Sequence, residues 1–286
     1  MNAAREAMLF DGTPVEDHPD LGFAVKREDL ACRPPGPSFS KTRGVFAHIQ
    51  KRVDEGFKTF GALDTYHSQA GHAVSRACQL LDVKCINFYP EYKHEPGPRK
   101  PQERAADLGA DLWGLPAGMS AVLFHQAKAK LAQLTGEEGY MMPNALKLEE
   151  SVEETAKEVA GDCLAAQLVV VPISSATIAA GVIAGFQAAH ARGEIGWLPQ
   201  FVLHLGYSRS HDKILDYVAE KLGGTRGDLP TIHLVDENYA YKDKARGEGE
   251  PPFPCSPYYD LKTYRWWMRE GRERFADLKT LFWNIG

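Results

Sequence analysis

The fold is decided by residues 167–186, QLVVVPISSATIAAGVIAGF. Its first part is a short, unbroken apolar run rich in β-branched residues, the mark of a strand buried on both faces. Four small residues, SSAT (174–177), follow, and then a helix-forming run, IAAGVIAGFQAAHA, opens at Ile178. A buried strand that passes directly into a helix is half of a β–α–β unit, and the same alternation extends in both directions. Upstream, Phe57–Leu63 reads as a strand, His72–Leu81 as a helix and Val83–Tyr89 as a strand. PQERAADLGAD reads as a helix ending at Gly109, Leu112–Leu115 as a short strand and Ser120–Leu134 as a helix. Immediately before the deciding stretch, SVEETAKEVAGDCLAA reads as a helix with Ser151 and Glu154 spaced as a capping box. Downstream come FVLHLGY, a helix over 212–222, and TIHLVDE. This alternation predicts an α/β protein built on parallel sheets.

A chain of 286 residues can bury one large or two modest cores. A hydrophobic fraction of 44% and a charged fraction of 25% are those of an ordinary globular chain. The net charge of −5 gives no general footprint for nucleic acid or for a membrane surface. No apolar run approaches the roughly 18 residues of a spanning helix, and MNAAREAMLFDG lacks a signal-peptide core, so a cytoplasmic protein without a membrane partner is expected. Five cysteines (32, 78, 85, 163 and 255) include no CxxC pair and read as reduced thiols, and the ten histidines show no zinc spacing, so no metal is expected.

Ligands of open α/β sheets bind beyond the carboxyl ends of the strands. Three loops in such positions are unusual: YHSQAGHA (66–73), SSAT (174–177) and DENYAY (236–241). SSAT offers hydroxyls and amides at a helix entrance, where an anion is favoured, although Ser and Thr there are also ordinary caps. No GxxxxGK[ST] or GxGxxG motif supports a nucleotide reading. Earlier, the Pro/Gly-rich ACRPPGP (31–37) leads into PSFSKTRG (37–44), which places Lys41 where a loop enters a helix. A lysine, a small polar loop, a hydroxyl-rich anion nest and a late Tyr258-Tyr259-Asp260 could together hold an aldehyde-bearing phosphate cofactor.

At these residues the sequence resembles the fold-type II pyridoxal-phosphate (PLP) enzymes, the tryptophan synthase β-like superfamily. It is most similar to the branch containing 1-aminocyclopropane-1-carboxylate deaminase and D-cysteine desulfhydrase. VKREDL (25–30) followed by PSFSKTRG resembles the branch's opening strand and lysine turn, which implies a Schiff base on Lys41. HSQAGHAVSRACQLLDVKC resembles the QSN loop and helix. That match implies that His67 and Ser68 face substrate, and that Gln69 meets both substrate and the cofactor ring oxygen. VVVPISSATIAAGVIAGF resembles the strand and glycine-rich loop that hold the phosphate, here Ser174, Ser175, Ala176 and Thr177. DENYAY and CSPYYDLKT resemble the aromatic segment and the DPVYEGK motif, which implies that Tyr239 and Tyr259 meet substrate and Asp260 meets the pyridine nitrogen. The departures are SFS in place of GGN before the lysine, Gly44 where a basic residue is usual, and a phosphate loop without glycine.

The resemblance implies two parallel-sheet α/β domains, a smaller one over 45–143 and a larger one from 1–44 and 144–286, and a homodimer. It also implies chemistry at Cα of an amino-acid-like substrate, of the lyase or deaminase kind. Lys41, Ser68, Tyr259 and Asp260 would be its catalytic groups. A carboxylate beside the ring nitrogen keeps it protonated and suits reactions that need a strong electron sink. An ordinary alternative for Asp260 is a helix N-cap before LKTYRWWMRE. Two further readings stay open. The aromatic, locally basic KTYRWWMREGRERFADLK (262–279) suits stacking and phosphate contacts, pointing to decarboxylation of an amino acid attached to a nucleotide or to DNA, as in bacteriophage DNA hypermodification, although the favoured reading of the segment is an amphipathic helix whose Trp266 and Trp267 pack against the body. The other is a non-catalytic PLP-binding homologue.

Overall fold

The computed structural model describes residues 3–94 and 96–286. Two α/β units make up the chain: the segment up to Phe10 with Cys32–Glu150, and Asp11–Ala31 with Ser151–Gly286. The strands are β1 (Val15–His18), β2 (Phe23–Arg27), β3 (Thr59–Leu63), β4 (Lys84–Glu91) and β5 (Asp111–Pro116). They continue with β6 (Gly139–Met141), β7 (Leu168–Ile173), β8 (Gln200–Leu205), β9 (Ile232–Val235) and β10 (Thr280–Asn284). The helices are α1 (Ala3–Met8), α2 (Thr42–Asp54), α3 (Ala70–Leu80), α4 (Lys100–Asp107) and α5 (Ser120–Thr135). After them come α6 (Glu149–Lys157), α7 (Thr177–Ala191), α8 (His211–Lys221), α9 (Asp260–Trp266) and α10 (Arg272–Arg274), the last two joined by a π-helical turn.

The unit holding residues 32–150 is built on a four-stranded sheet, ordered β5-β4-β3-β6 and parallel throughout. Val45, Phe46 and Ile49 of α2 and Ala73, Val74 and Ala77 of α3 share a core with Phe60, Ala62 and Cys85. Leu123, Ala127 and Leu131 of α5 pack with Leu63, Ile86, Phe88 and Leu115 in a second core. The sequence expectation placed residues 1–44 and 144–286 in the larger unit, whereas here the chain up to Phe10 and residues 32–44 and 144–150 group with this smaller sheet. The cause is long-range: Leu9 bridges to Cys32, Arg33 N donates to Met8 O at 2.7 Å, and Met8 and Leu9 are buried among α3 residues.

The second unit carries a six-stranded sheet ordered β1-β2-β10-β7-β8-β9, parallel except for the antiparallel edge pair β1–β2. Alternate residues divide between its faces, as a pleated strand requires. Val169, Val171, Phe201, Leu203, Leu281 and Trp283 meet α7 and α8, while Leu168, Val170, Val202 and Phe282 meet Tyr264, Trp266 and Trp267. Trp266 and Trp267 are 2% and 1% exposed, and Trp267 Nε1 donates to Leu21 O. The aromatic side chains of 262–279 are therefore mostly core residues, which withdraws the stacking role considered for that segment. Ser151 is also corrected, because α6 starts at Glu149 and leaves the Ser151 hydroxyl inside the helix, buried and without a hydrogen-bond partner among the described residues.

One buried carboxylate organises the carboxyl ends of β3 and β4. Asp64 follows β3 and accepts from Gly71 N at 2.8 Å, Asn87 Nδ2 at 3.0 Å and Gln102 Nε2 at 2.8 Å, with the Ser68 hydroxyl also bonded to it. Burial pushes its pKa up, and these donors pull it back. A Cβ at Gly71 would stand 2.1 Å from Asn87 Nδ2, so this helix position has room only for glycine. Gly71→Ala should therefore destabilise the protein by about 1–3 kcal/mol despite the roughly 1 kcal/mol that alanine returns in a helix. Urea denaturation checks this; an unchanged or higher midpoint would contradict it.

Candidate active site

In the smaller-sheet unit, Lys41 is the residue before α2 and is 9% exposed. Its Nζ donates to Ala145 O at 2.6 Å. Ala145 and Leu146 both have left-handed backbone (φ 60° and 48°), so an irregular turn presents that carbonyl. Around the lysine, Thr42 Oγ1 donates to Phe39 O at 2.8 Å and Arg43 Nη1 to Phe10 O at 2.6 Å. The Ser40 hydroxyl is buried and finds no hydrogen-bond partner among the described residues. His67, Ser68 and Gln69 form the loop into α3 and are half-buried. Ser68 Oγ accepts from Ala70 N at 3.1 Å and also bonds Asp64, so its position is set by the β3 end. Gln69 Oε1 is buried with no partner among the described residues.

The larger-sheet unit holds the remaining predicted residues. β7 ends at Ile173 and α7 begins at Thr177, one residue earlier than expected. Ala176, between them, has φ 63° and ψ 7°, and no side chain caps the helix. A left-handed alanine costs about 1–2 kcal/mol, and such a turn aims successive amides into one concavity that suits an anion. Ser175 Oγ and Thr177 Oγ1 lie 3.0 Å apart, and Thr177 Oγ1 is 2.9 Å from the Tyr217 hydroxyl. Arg209 Nη1 donates to Ser174 O, and the Ser174 side chain bonds the Tyr259 hydroxyl. Burial, then Tyr241, push the Tyr259 pKa up. The Tyr259 ring lies against Gly206, where a Cβ would come within 2.4 Å of it. Tyr239, 3% exposed, has Lys262 Nζ 4.3 Å from its ring centre, and its hydroxyl accepts from Arg246 N.

Asp260 is fully buried and is the first residue of α9, so it is not the cap; that position falls to Tyr259. Its Oδ1 accepts from Ile285 N at 2.8 Å, beyond the end of β10, while Oδ2 has no hydrogen-bond partner among the described residues. Burial raises its pKa to about 7, opposed by the Ile285 amide and raised further by Asp29. Lys262, two residues on, is fully buried, donates to Gly206 O, and is lowered to about 8 by desolvation. Ser40, Arg209 and Lys262 were not singled out in the sequence. The only local signal for Arg209 is a cation in the loop after a buried strand.

The fold is that of the fold-type II PLP-dependent enzymes. The chain belongs to the family described as pyridoxal-phosphate dependent enzyme, whose model matches residues 7–237. It is 44% identical to the glycyl-dTMP PLP-dependent decarboxylase of Pseudomonas phage M6, over 98% of this chain and 100% of that relative. Among solved structures it resembles an ACC deaminase homologue, with TM-score 0.78 and 16% identity, covering 100% of this chain and 95% of that one. It also resembles an L-serine ammonia-lyase from Rhizomucor miehei, with TM-score 0.67 and 13% identity, covering 97% and 94%. Its cofactor is pyridoxal 5′-phosphate. Among the described residues no helix is long and apolar enough to cross a membrane, and no cluster of metal-ligating side chains occurs.

The raised Asp260 pKa has a measurable consequence in the cofactor-free protein. Between the ordinary carboxyl pKa near 4 and about 7, the folded state holds a proton that the unfolded chain has lost. Stability should therefore fall as pH rises through that window, by roughly 4 kcal/mol in all. In Asp260→Asn this contribution should be lost, leaving the fall that other raised carboxyls such as Asp64 provide. Urea titrations of both apoproteins from pH 4 to 8 check this, and equal slopes would contradict it.

Proposed function

We propose that this chain is a PLP-dependent decarboxylase whose substrate is an amino acid joined to a thymine nucleotide, of the glycyl-dTMP kind. The observation that carries the reading is the 44% identity with the phage decarboxylase along the full length of both chains. The deaminase or lyase reading rests on fold likeness at 16% identity or below, which speaks to architecture only. A cytoplasmic homodimer, as the resemblance implies, is part of the proposal.

The residues present suit the cofactor. Asp260 Oδ2 is a buried acceptor with no hydrogen-bond partner among the described residues, in a setting that a cationic ring N–H would satisfy. The left-handed turn at Ala176, with the hydroxyls of Ser174, Ser175 and Thr177, provides amide and hydroxyl donors for a phosphate dianion. When bound, PLP takes up the electron pair left as the bond between Cα and the carboxylate breaks. In this reading Lys41 holds the cofactor aldehyde, and its freed amine then delivers the proton that replaces carbon dioxide at Cα. Asp260 keeps the proton on the ring nitrogen, and Gln69 orients the ring through its oxygen. His67 and Ser68 bind the amino-acid end, and the resemblance assigns Tyr239 and Tyr259 to the substrate as well. Arg209 holds the Ser174 turn in place through the Ser174 carbonyl.

Product analysis tests the reaction. With glycyl-dTMP labelled in its carboxyl carbon, the holoenzyme should release labelled carbon dioxide and leave an amine-bearing nucleotide. Lys41→Ala should lower turnover by at least about a thousandfold, the scale of losing a positioned acid–base group and covalent anchor together. Release of ammonia and a keto acid, or turnover of free amino acids only, would overturn the proposal. Borohydride reduction should label Lys41; a label on another lysine would remove its assigned role.

A further inference from the structure

A nucleotide-linked substrate needs a surface for its base and its phosphate. The aromatic C-terminal segment does not supply the base surface, because Tyr264, Trp266 and Trp267 are buried in the core. The smaller-sheet unit offers a different place. Its β4–α4 loop reads YKHEPGPRK (92–100), with three Lys/Arg residues against one acidic residue in a chain whose net charge is −5. Within it, the Arg99 guanidinium lies 4.5 Å from the Tyr66 ring centre and 4.8 Å from that of Tyr92. The two rings meet edge-to-face at 6.0 Å, and the His67 ring is 6.4 Å from Tyr66. Tyr66, Tyr92 and Arg99 are half-buried, while Lys93 and Lys100 are exposed.

Resting on the decarboxylase reading above, we propose that Tyr66, Tyr92 and Arg99, with Lys93 and Lys100 at the rim, form the nucleotide subsite. The thymine stacks on a tyrosine ring and the 5′-phosphate takes the cations. Position supports this. β3 and β4 are adjacent parallel strands, so the loops after them leave the same edge of one sheet, where ligands of such sheets bind. The first loop carries Ser68 and Gln69, the second carries Arg99, and one carboxylate braces both. Asp64 holds Ser68, Gly71 and Gln102, and Gln102 Oε1 accepts from Arg99 N at 2.9 Å. The parts that would hold the amino acid and the nucleotide thus share one rigid support. Chemistry supports it too: a tyrosine face suits a pyrimidine, and a planar guanidinium suits a phosphate dianion. A second aromatic–cation cluster, Tyr207 and Tyr241 with Arg209, is a weaker candidate. Its Arg209 already has a role in this reading, holding the Ser174 turn through the Ser174 carbonyl.

The test is calorimetric titration of PLP-loaded enzyme with dTMP, thymidine and inorganic phosphate. Wild type should bind dTMP at least tenfold more tightly than thymidine. Arg99→Gln should bring dTMP close to the thymidine value, while Tyr92→Leu should weaken both ligands about tenfold or more, with the cofactor absorbance band retained. The exposed pair Lys93→Gln/Lys100→Gln should weaken dTMP and reduce its salt dependence without affecting thymidine, which keeps the test decisive if an inner variant misfolds. Undiminished dTMP binding in these variants, with loss in Tyr241→Leu, would overturn the subsite and leave the nucleotide substrate standing. If wild type binds no dTMP at all, the nucleotide reading fails and the subsite with it.

Discussion

A carboxylate removed from water must be paired, hydrogen-bonded or protonated, and Asp64 and Asp260 are two that this chain buries completely. Asp64 is answered from within the fold by an amide, two side-chain amides and a hydroxyl. Asp260 is answered by backbone alone: Ile285 N bonds Oδ1, the Asp260 and Ser256 amides also favour its charged form, and Oδ2 has no side-chain partner among the described residues. An isolated buried charge of this kind is costly, so the group keeps its proton unless a cation arrives. The first carboxylate is a structural fastener. In our account the second is a receptor, held at the start of α9 by the end of β10 and waiting for the protonated ring nitrogen of the cofactor.

The rest of each unit serves to set loops at strand ends. Parallel strands buried on both faces leave short segments between strand and helix, and there small residues tolerate the irregular backbone. Ala176 occupies a left-handed position where glycine would be unstrained. Tyr259 fits against Gly206 because that residue has no side chain. The Ala176 turn and the Tyr259–Gly206 approach thus combine a left-handed residue with close packing, features that carry function in some proteins.

Much of this was legible in the chain. Leu168–Ile173 announced itself because a strand covered on both sides has no polar residue to interrupt it. Lys41 stood out through the Pro/Gly turn that precedes it. What stayed hidden depends on distant partners. Thr280–Asn284 is a central strand that no local pattern marked, since only pairing with β2 and β7 makes it one. Ser151 has the spacing of a cap but lies inside a helix that starts two residues earlier. Trp266 and Trp267 read as a packing face as well as a stacking platform, and the sheet face formed by β2, β7, β8 and β10, which decides for packing, comes from distant segments. The Tyr66–Arg99–Tyr92 cluster joins residues 33 positions apart, and adjacency of β3 and β4 is what brings them together.

The claim on which the account turns is that Asp260 supplies the counter-charge for the cofactor ring. The most direct measurement is nitrogen NMR of enzyme loaded with PLP labelled with nitrogen-15 in its ring. The account predicts a protonated-pyridinium shift in the wild-type protein that persists to pH 8 and above. It also predicts a change to the unprotonated value in Asp260→Asn with the cofactor still bound. An unprotonated ring in the wild-type protein at neutral pH would contradict it.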